Sequence, residues 1–217
     1  MKIHTSETLA TMTPQKALQF LKEGNERFVN NLKLHRNLLE QVQYYKHGQH
    51  PFAIILSCMD SRTSAELIFD QGLGDIFSLR VAGNILNEDI IGSMEYACKV
   101  VGSKLIMILG HSNCGASQGA CAGQKVGSLT QLLQKLNISI EEVKLELADT
   151  PCESPEFVDA VTRHNIYHSM DEVLHRSPVL KALYDEGKIG LVGAYHHLGT
   201  GEVEFLFEDM PTETGGM

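Results

Sequence analysis

The sequence predicts an α/β fold: a mostly parallel central sheet of four strands plus an antiparallel edge strand, flanked by helices and preceded by a helical extension. Three observations carry that reading. Short apolar runs rich in β-branched residues alternate with segments of helical period, the pattern of strands linked by crossover helices. Two of these runs, Ile54-Ile55-Leu56-Ser57 and Leu105-Ile106-Met107-Ile108-Leu109, are almost wholly apolar, as strands buried on both faces are. Both stop abruptly at polar clusters able to bind metal, and in open α/β sheets ligands collect beyond the carboxyl ends of the strands.

Thr13-Pro14 reads as an N-cap and a first-position proline opening an amphipathic helix that reaches Phe28 and Val29, and a second helix covers roughly Leu38 to Tyr45. Because both precede any strand, they can pack on a neighbouring subunit or on their own sheet. Gly48-Gln49-His50-Pro51 breaks the helix and feeds the first strand, Phe52 to Ser57. A short helix follows over Ser64–Phe69, closed by Gly72 and Gly74. Asp75–Val81 is the second strand, Glu88–Val101 a helix with Ile91, Met94 and Ala97 on its apolar face, and Leu105–Leu109 the third strand.

Past Cys114 a small-residue helix spans Ala116–Ala122. Helical segments follow near Ser128–Leu136, Ile140–Leu147 and Glu156–Leu174, the last beginning beside Pro155. Ile189–Tyr195 and Glu202–Phe207 are strands joined by a glycine-containing turn, a hairpin at the sheet edge, and the tail from Met210 is expected to be loose. Length and core content suit one domain over 1–217, with a helical arm at about 13–46 and an α/β core at about 50–207.

Composition narrows the function. A formal charge of −9 with 18 basic residues in no dense run argues against nucleic acid and against a lipid surface. No stretch is long and apolar enough for a membrane span, and the N-terminal residues lack the apolar core of a secretory signal. Five cysteines, an odd number in no staple-like framework, fit a reducing, cytoplasmic setting in which thiols stay free or bind metal.

The chemistry sits at the two strand ends, Cys58-Met59-Asp60-Ser61-Arg62 and His111-Ser112-Asn113-Cys114-Gly115. Cys58, His111 and Cys114 offer two thiolates and an imidazole, the donor set zinc prefers, and three protein ligands leave a fourth position open. Asp60, two residues past Cys58, projects to the same side and can accept a hydrogen bond from water on the metal. Arg62, two further on, can hold that carboxylate bidentately away from the ion and keep it ionised. Water activated by zinc near neutral pH attacks small electrophiles such as carbon dioxide.

These paired motifs resemble the signature of the β-class carbonic anhydrases. The likeness extends through Phe69-Asp70-Gln71-Gly72, Arg80-Val81-Ala82-Gly83-Asn84 and Glu95-Tyr96-Ala97 to Thr200-Gly201-Glu202-Val203-Glu204-Phe205, over about residues 14 to 207. The resemblance implies a zinc enzyme interconverting carbon dioxide and bicarbonate, a homodimer or homotetramer with its pocket at a subunit interface. It also implies that Gln49 and the Gly115 amide place substrate oxygens while Phe77 and Tyr96 form an apolar wall. The branch whose aspartate swings onto zinc carries a tryptophan where Ile55 stands here, and this chain has no tryptophan, which implies an open site. Met59 replaces a commoner serine. Val100 stands where some relatives place a proton-carrying histidine, so buffer is the expected proton acceptor.

Rival readings keep part of this. Relatives with the same ligands hydrolyse carbonyl sulfide or carbon disulfide. A fourth protein ligand, for which Cys121 is the candidate, would make a closed structural zinc site. A thiol redox protein fits less, for want of a Cys-x-x-Cys pair. Cys98, Cys121 and Cys152 read as core or surface thiols, and His35, His47, His50, His164, His168, His175, His196 and His197 as surface or satisfied histidines. His196-His197, at a strand end, is the pair to test for carrying protons.

Overall fold

A computed structural model of the chain describes residues 4–211. Helices α1 (Ser6–Ala10), α2 (Pro14–Val29) and α3 (Leu38–Tyr45) precede strand β1 (Ala53–Ser57), short helix α4 (Ala65–Ile68) and strand β2 (Ile76–Arg80). Helix α5 (Glu88–Glu95) leads to β3 (Leu105–His111), then α6 (Gly115–Cys121), α7 (Gly127–Gln134), α8 (Asn137–Glu146), α9 (Pro155–Arg176) and α10 (Pro178–Asp185). Strands β4 (Gly190–His196) and β5 (Val203–Asp209) close the sheet. Its order is β2-β1-β3-β4-β5, with the first four parallel and β5 antiparallel to β4, as the sequence predicts.

Alternation along the strands divides the core in two. Ala53, Ile55, Met107, Val192 and Ala194 face a layer made by Leu9, Met12, Ala17, Leu18 and Leu21 of the N-terminal segment with Ile68 and Phe69. Ile54, Leu56, Ile106, Ile108 and Tyr195 face Ile91, Met94, Ile166, Met170 and Leu180 on the other side. The first two helices therefore pack on their own sheet. Helix α3 does not: Leu38, Leu39 and Val42 are exposed.

Four features differ from the expectation. Helix α1 is an extra element, held by a reciprocal capping box between Thr5 and Thr8. Helix α10 is another, opened by Ser177 and Pro178 with the same cap-and-proline signal as α2. The helix expected to run to Val101 changes to a π-turn at Tyr96–Val101, where the amides of Gly102 and Ser103 both donate to the Ala97 carbonyl. Finally, Met210 packs against the core and the Pro211 carbonyl accepts from Gln15 Nε2; the remainder of the expected loose tail lies outside the described residues.

One buried ion cluster ties α2 and the loop after it to the turn before β2. Asp70, 4% exposed and at φ 44°, accepts from Arg27 Nε at 2.6 Å, from Arg36 Nη1 at 2.5 Å and from the Leu34 amide at 3.3 Å. Burial would raise this carboxyl, but the two guanidinium hydrogen bonds outweigh it and hold the group below the ordinary carboxylate range. A depressed acid contributes stability above its unfolded pKa, near 4, and loses it as pH falls through the folded value. Replacing Asp70 with Asn is expected to cost roughly 3 kcal/mol at pH 7, since it strands two guanidiniums. In urea titrations repeated down the pH scale, the gap between variant and parent should close below pH 4.

Candidate metal centre

Strand register decides where the metal-capable residues meet. Ser57 at the end of β1 pairs with Leu109 of β3, so Cys58 leaves one strand beside His111, the last residue of its neighbour. The chain then turns through Asn113 at φ 54°, a left-handed conformation that asparagine tolerates better than most residues. That turn sets Cys114 at the N-cap of α6. The ligand atoms of Cys58, His111 and Cys114 lie within 4.8 Å of one another, all buried. Among the described residues no other three His, Cys, Asp or Glu side chains are so disposed.

The donors fit zinc. Thiolate at about 2.3 Å and imidazole at about 2.0–2.1 Å in a tetrahedron stand roughly 3.5–3.8 Å apart, a span within this cluster's reach. His111 Nδ1 sits 2.9 Å from the Ser112 carbonyl, which assigns the proton to Nδ1 and leaves Nε2 as the bare nitrogen. That Nε2 is buried with no hydrogen-bond partner, the condition of a ligand atom awaiting a cation.

The thiols are unequal. Their mutual hydrogen bond pushes Cys58 up to about 12, and burial adds to the rise. The same bond draws Cys114 down to about 6 against burial, helped by the Ser117 and Ala116 amides at the start of α6. A metal taking both sulfurs displaces the proton that their mutual bond shares. Gly83 N–H donates to Cys58 Sγ at 3.3 Å.

Arg62 closes on Asp60 as a fork: Nε donates to Oδ1 at 2.9 Å and Nη2 to Oδ2 at 2.7 Å, while the Arg62 amide adds a bond of 2.9 Å to Oδ1. These bonds hold the carboxyl far below the usual range. Two residues to which the sequence reading gives no role fix the same loop. Arg80 donates to the carbonyls of Cys58, at 3.2 Å, and Asp60, at 2.5 Å. Thr63 Oγ1 reaches those two carbonyls at 3.1 and 3.0 Å. The signal for Arg80 is the placing of β2 beside β1, which no local pattern reveals.

The carbonic anhydrase family model matches residues 53–203. The chain belongs to the β-class carbonic anhydrase family. It is 34% identical over 189 residues to carbonic anhydrase 2 of Mycobacterium tuberculosis, covering 87% of this chain and 90% of that one. The carbonic anhydrase of Mycolicibacterium smegmatis is 32% identical, with 88% and 92% covered. Among solved structures, a tetrameric β-carbonic anhydrase of Sordaria macrospora superposes with a TM-score of 0.69 at 25% identity, over 77% of this chain and 89% of that one. As in the family, the cofactor is zinc.

Not every residue expected from the family resemblance joins the metal site within one chain. Gly115 does lie beside Cys114, exposed at the start of α6. Phe77 pairs with Ile54, four residues short of Cys58 and so about 13 Å back along the strand. Its ring meets that of Tyr96 at 6.4 Å, and both line a surface groove of about 600 Å³. Gln49 is exposed at the opposite end of β1.

The other candidates for ligand or proton carrier also lie apart. Cys121 packs with Cys152 against Ile140, Val143, Phe157 and Val161, outside the ligand group. His196 pairs with His111 across the sheet but is 3% exposed, and burial drives it down to about 4. His197 is at the surface, with Nε2 3.2 Å from Glu204. Dialysis against zinc followed by metal analysis should find one ion per chain in the parent protein and in Cys121→Ser, and well under one in Cys114→Ser and His111→Ala. Loss of the ion from Cys121→Ser would mean a four-ligand, closed site.

Proposed function

We propose that Cys58, His111 and Cys114 carry the zinc on which this chain hydrates carbon dioxide reversibly to bicarbonate and a proton, with Asp60 as proton acceptor and Arg62 as its orienter. Membership of the family makes the chain a carbonate dehydratase, a zinc lyase. The residue roles rest on one observation: three buried donor atoms within 4.8 Å, beside a carboxylate clamped by a guanidinium fork. Bound zinc supplies a Lewis acid that brings the ionisation of water toward neutral pH.

The rest is work for the chain's own residues. Asp60, 16% exposed, gives both lone pairs of Oδ1 to Arg62 and one of Oδ2, and keeps the other of Oδ2 to accept from the attacking water, which aims that water's remaining lone pair at carbon. Arg62 also restrains the carboxylate from becoming a ligand. With two thiolates supplying both charges that zinc carries, a third anionic ligand would quench the Lewis acid. The Gly115 amide, at the open start of α6, is placed to donate to a substrate oxygen.

Neither Val100 nor His196 gives the proton an internal route. Val100 is 69% exposed where a histidine could stand, and His196 is buried and neutral. Transfer to dissolved buffer is therefore the exit.

Gln49, Phe77 and Tyr96 point to assembly. Since they lie far from their own chain's ligands, they serve the metal of a second copy in a homodimer or homotetramer, supported by the tetrameric relative and by the exposed aromatic groove. Among the described residues no helix is long and apolar enough to cross a membrane. All five cysteines are free, which supports a reducing, cytoplasmic location.

In stopped-flow hydration of carbon dioxide, Asp60→Asn should retain zinc yet lose roughly 10²–10⁴-fold in rate, the usual worth of a positioned proton acceptor. Full activity in that variant would remove Asp60 from the mechanism. In the parent enzyme kcat should climb with buffer concentration at fixed pH; a flat response would reveal an internal carrier.

A further inference from the structure

We propose that His164 and His168, on the flank of α9, form a second metal site: an exchangeable chelate for a late divalent transition-metal ion such as zinc or nickel. Two imidazoles four residues apart on a helix share one face and can bite a single ion. Here the rings already lie near each other, with centroids 6.5 Å apart and planes inclined by 21°. Nitrogen ligands at about 2.0–2.1 Å in tetrahedral geometry would bring the centroids to roughly 5 Å, so side-chain rotation must close only about 1.5 Å.

The surroundings set the class of ion and the grip. Imidazole selects zinc, copper and nickel over the hard cations magnesium and calcium. His168 lines a small cleft of about 160 Å³ with Asn165, Ser169 and Glu172. Glu172, a further turn along the same stripe, brings a carboxylate toward a bound cation. Lys135 and Arg176, which also line the cleft, oppose it, Arg176 Nε standing 4.0 Å from the Glu172 carboxylate, so the carboxylate's help is small. His164 Nδ1 is buried with no hydrogen-bond partner, so nothing fixes that ring's tautomer or angle from behind. Ligating histidines held firmly donate that second N–H to an acceptor. Two protein ligands, one of them unbraced, make a site that fills at raised metal concentration and empties by dilution, unlike the buried Cys2His centre.

The test uses the zinc-loaded protein, its Cys2His centre verified as filled, and Ni²⁺ as the added probe in calorimetric titration. One further Ni²⁺ per chain is expected. His164→Gln and His168→Gln should each weaken it at least tenfold, and His175→Gln, which removes an exposed histidine of the same helix outside the pair, should leave it unchanged. Zinc content and carbon dioxide hydration should stay at parental values in all three variants, which separates this site from the catalytic one. In the parent protein, paramagnetic broadening by Ni²⁺ should strike the ring resonances of His164 and His168 before those of the other histidines, a reading that needs no variant. Absence of the additional ion, equal weakening by His175→Gln, or broadening that begins elsewhere would overturn the proposal.

Discussion

Everything at the metal centre depends on the parallel pairing of β1 with β3. Ser57 opposite Leu109 is a register, and in a strand a slip of one residue turns every side chain to the other face. With that register, Ser57 and His111 share the face covered by α2 and α4, and Cys58 leaves its strand level with the ligand-bearing turn. The register is itself held by the two apolar layers: Ile55 and Met107 must face one, Ile54 and Ile106 the other. Burial of ordinary aliphatic residues thus fixes the positions of two buried sulfurs and a buried nitrogen.

Given that placement, local chemistry divides labour among similar groups. The bond between the two thiols draws Cys114 down, helped by the N-terminal amides of α6, and pushes Cys58 up at its strand exit. Asp60 and Asp70 are both carboxylates held below their ordinary range by arginine, yet the first lies at a solvent-reachable rim and the second is sealed under a loop. One is available to a reactant. The other can only hold the fold.

Much of this was legible in the sequence because the signals are local. Apolar runs ending in polar clusters located the strands, and the two-residue spacing from Cys58 to Asp60 to Arg62 encodes the fork directly. The supports were not legible. Arg80 and Thr63 act on carbonyls that only the folded loop presents, and Gly83 reaches the Cys58 sulfur from a separate turn. Helix α10 carried its cap-and-proline signal in Ser177-Pro178 and was missed because the preceding helix runs to its threshold without a break. The π-turn at Tyr96–Val101 left no mark in the apolar period. Gln49, Phe77 and Tyr96 were found by likeness alone, and one chain does not bring them to its own metal.

Gly83 is committed through both of the peptide groups that flank it. Its N–H engages the Cys58 sulfur, and its carbonyl is taken by Asn165 Nδ2 of α9 at 3.1 Å. Gly83 has φ 66°, and a Cβ there would come within 3.1 Å of Ala116 Cβ, so a larger residue would be strained there. A single residue thus ties the longest helix to the sulfur of one ligand, and its lack of a side chain is what lets the backbone come that near.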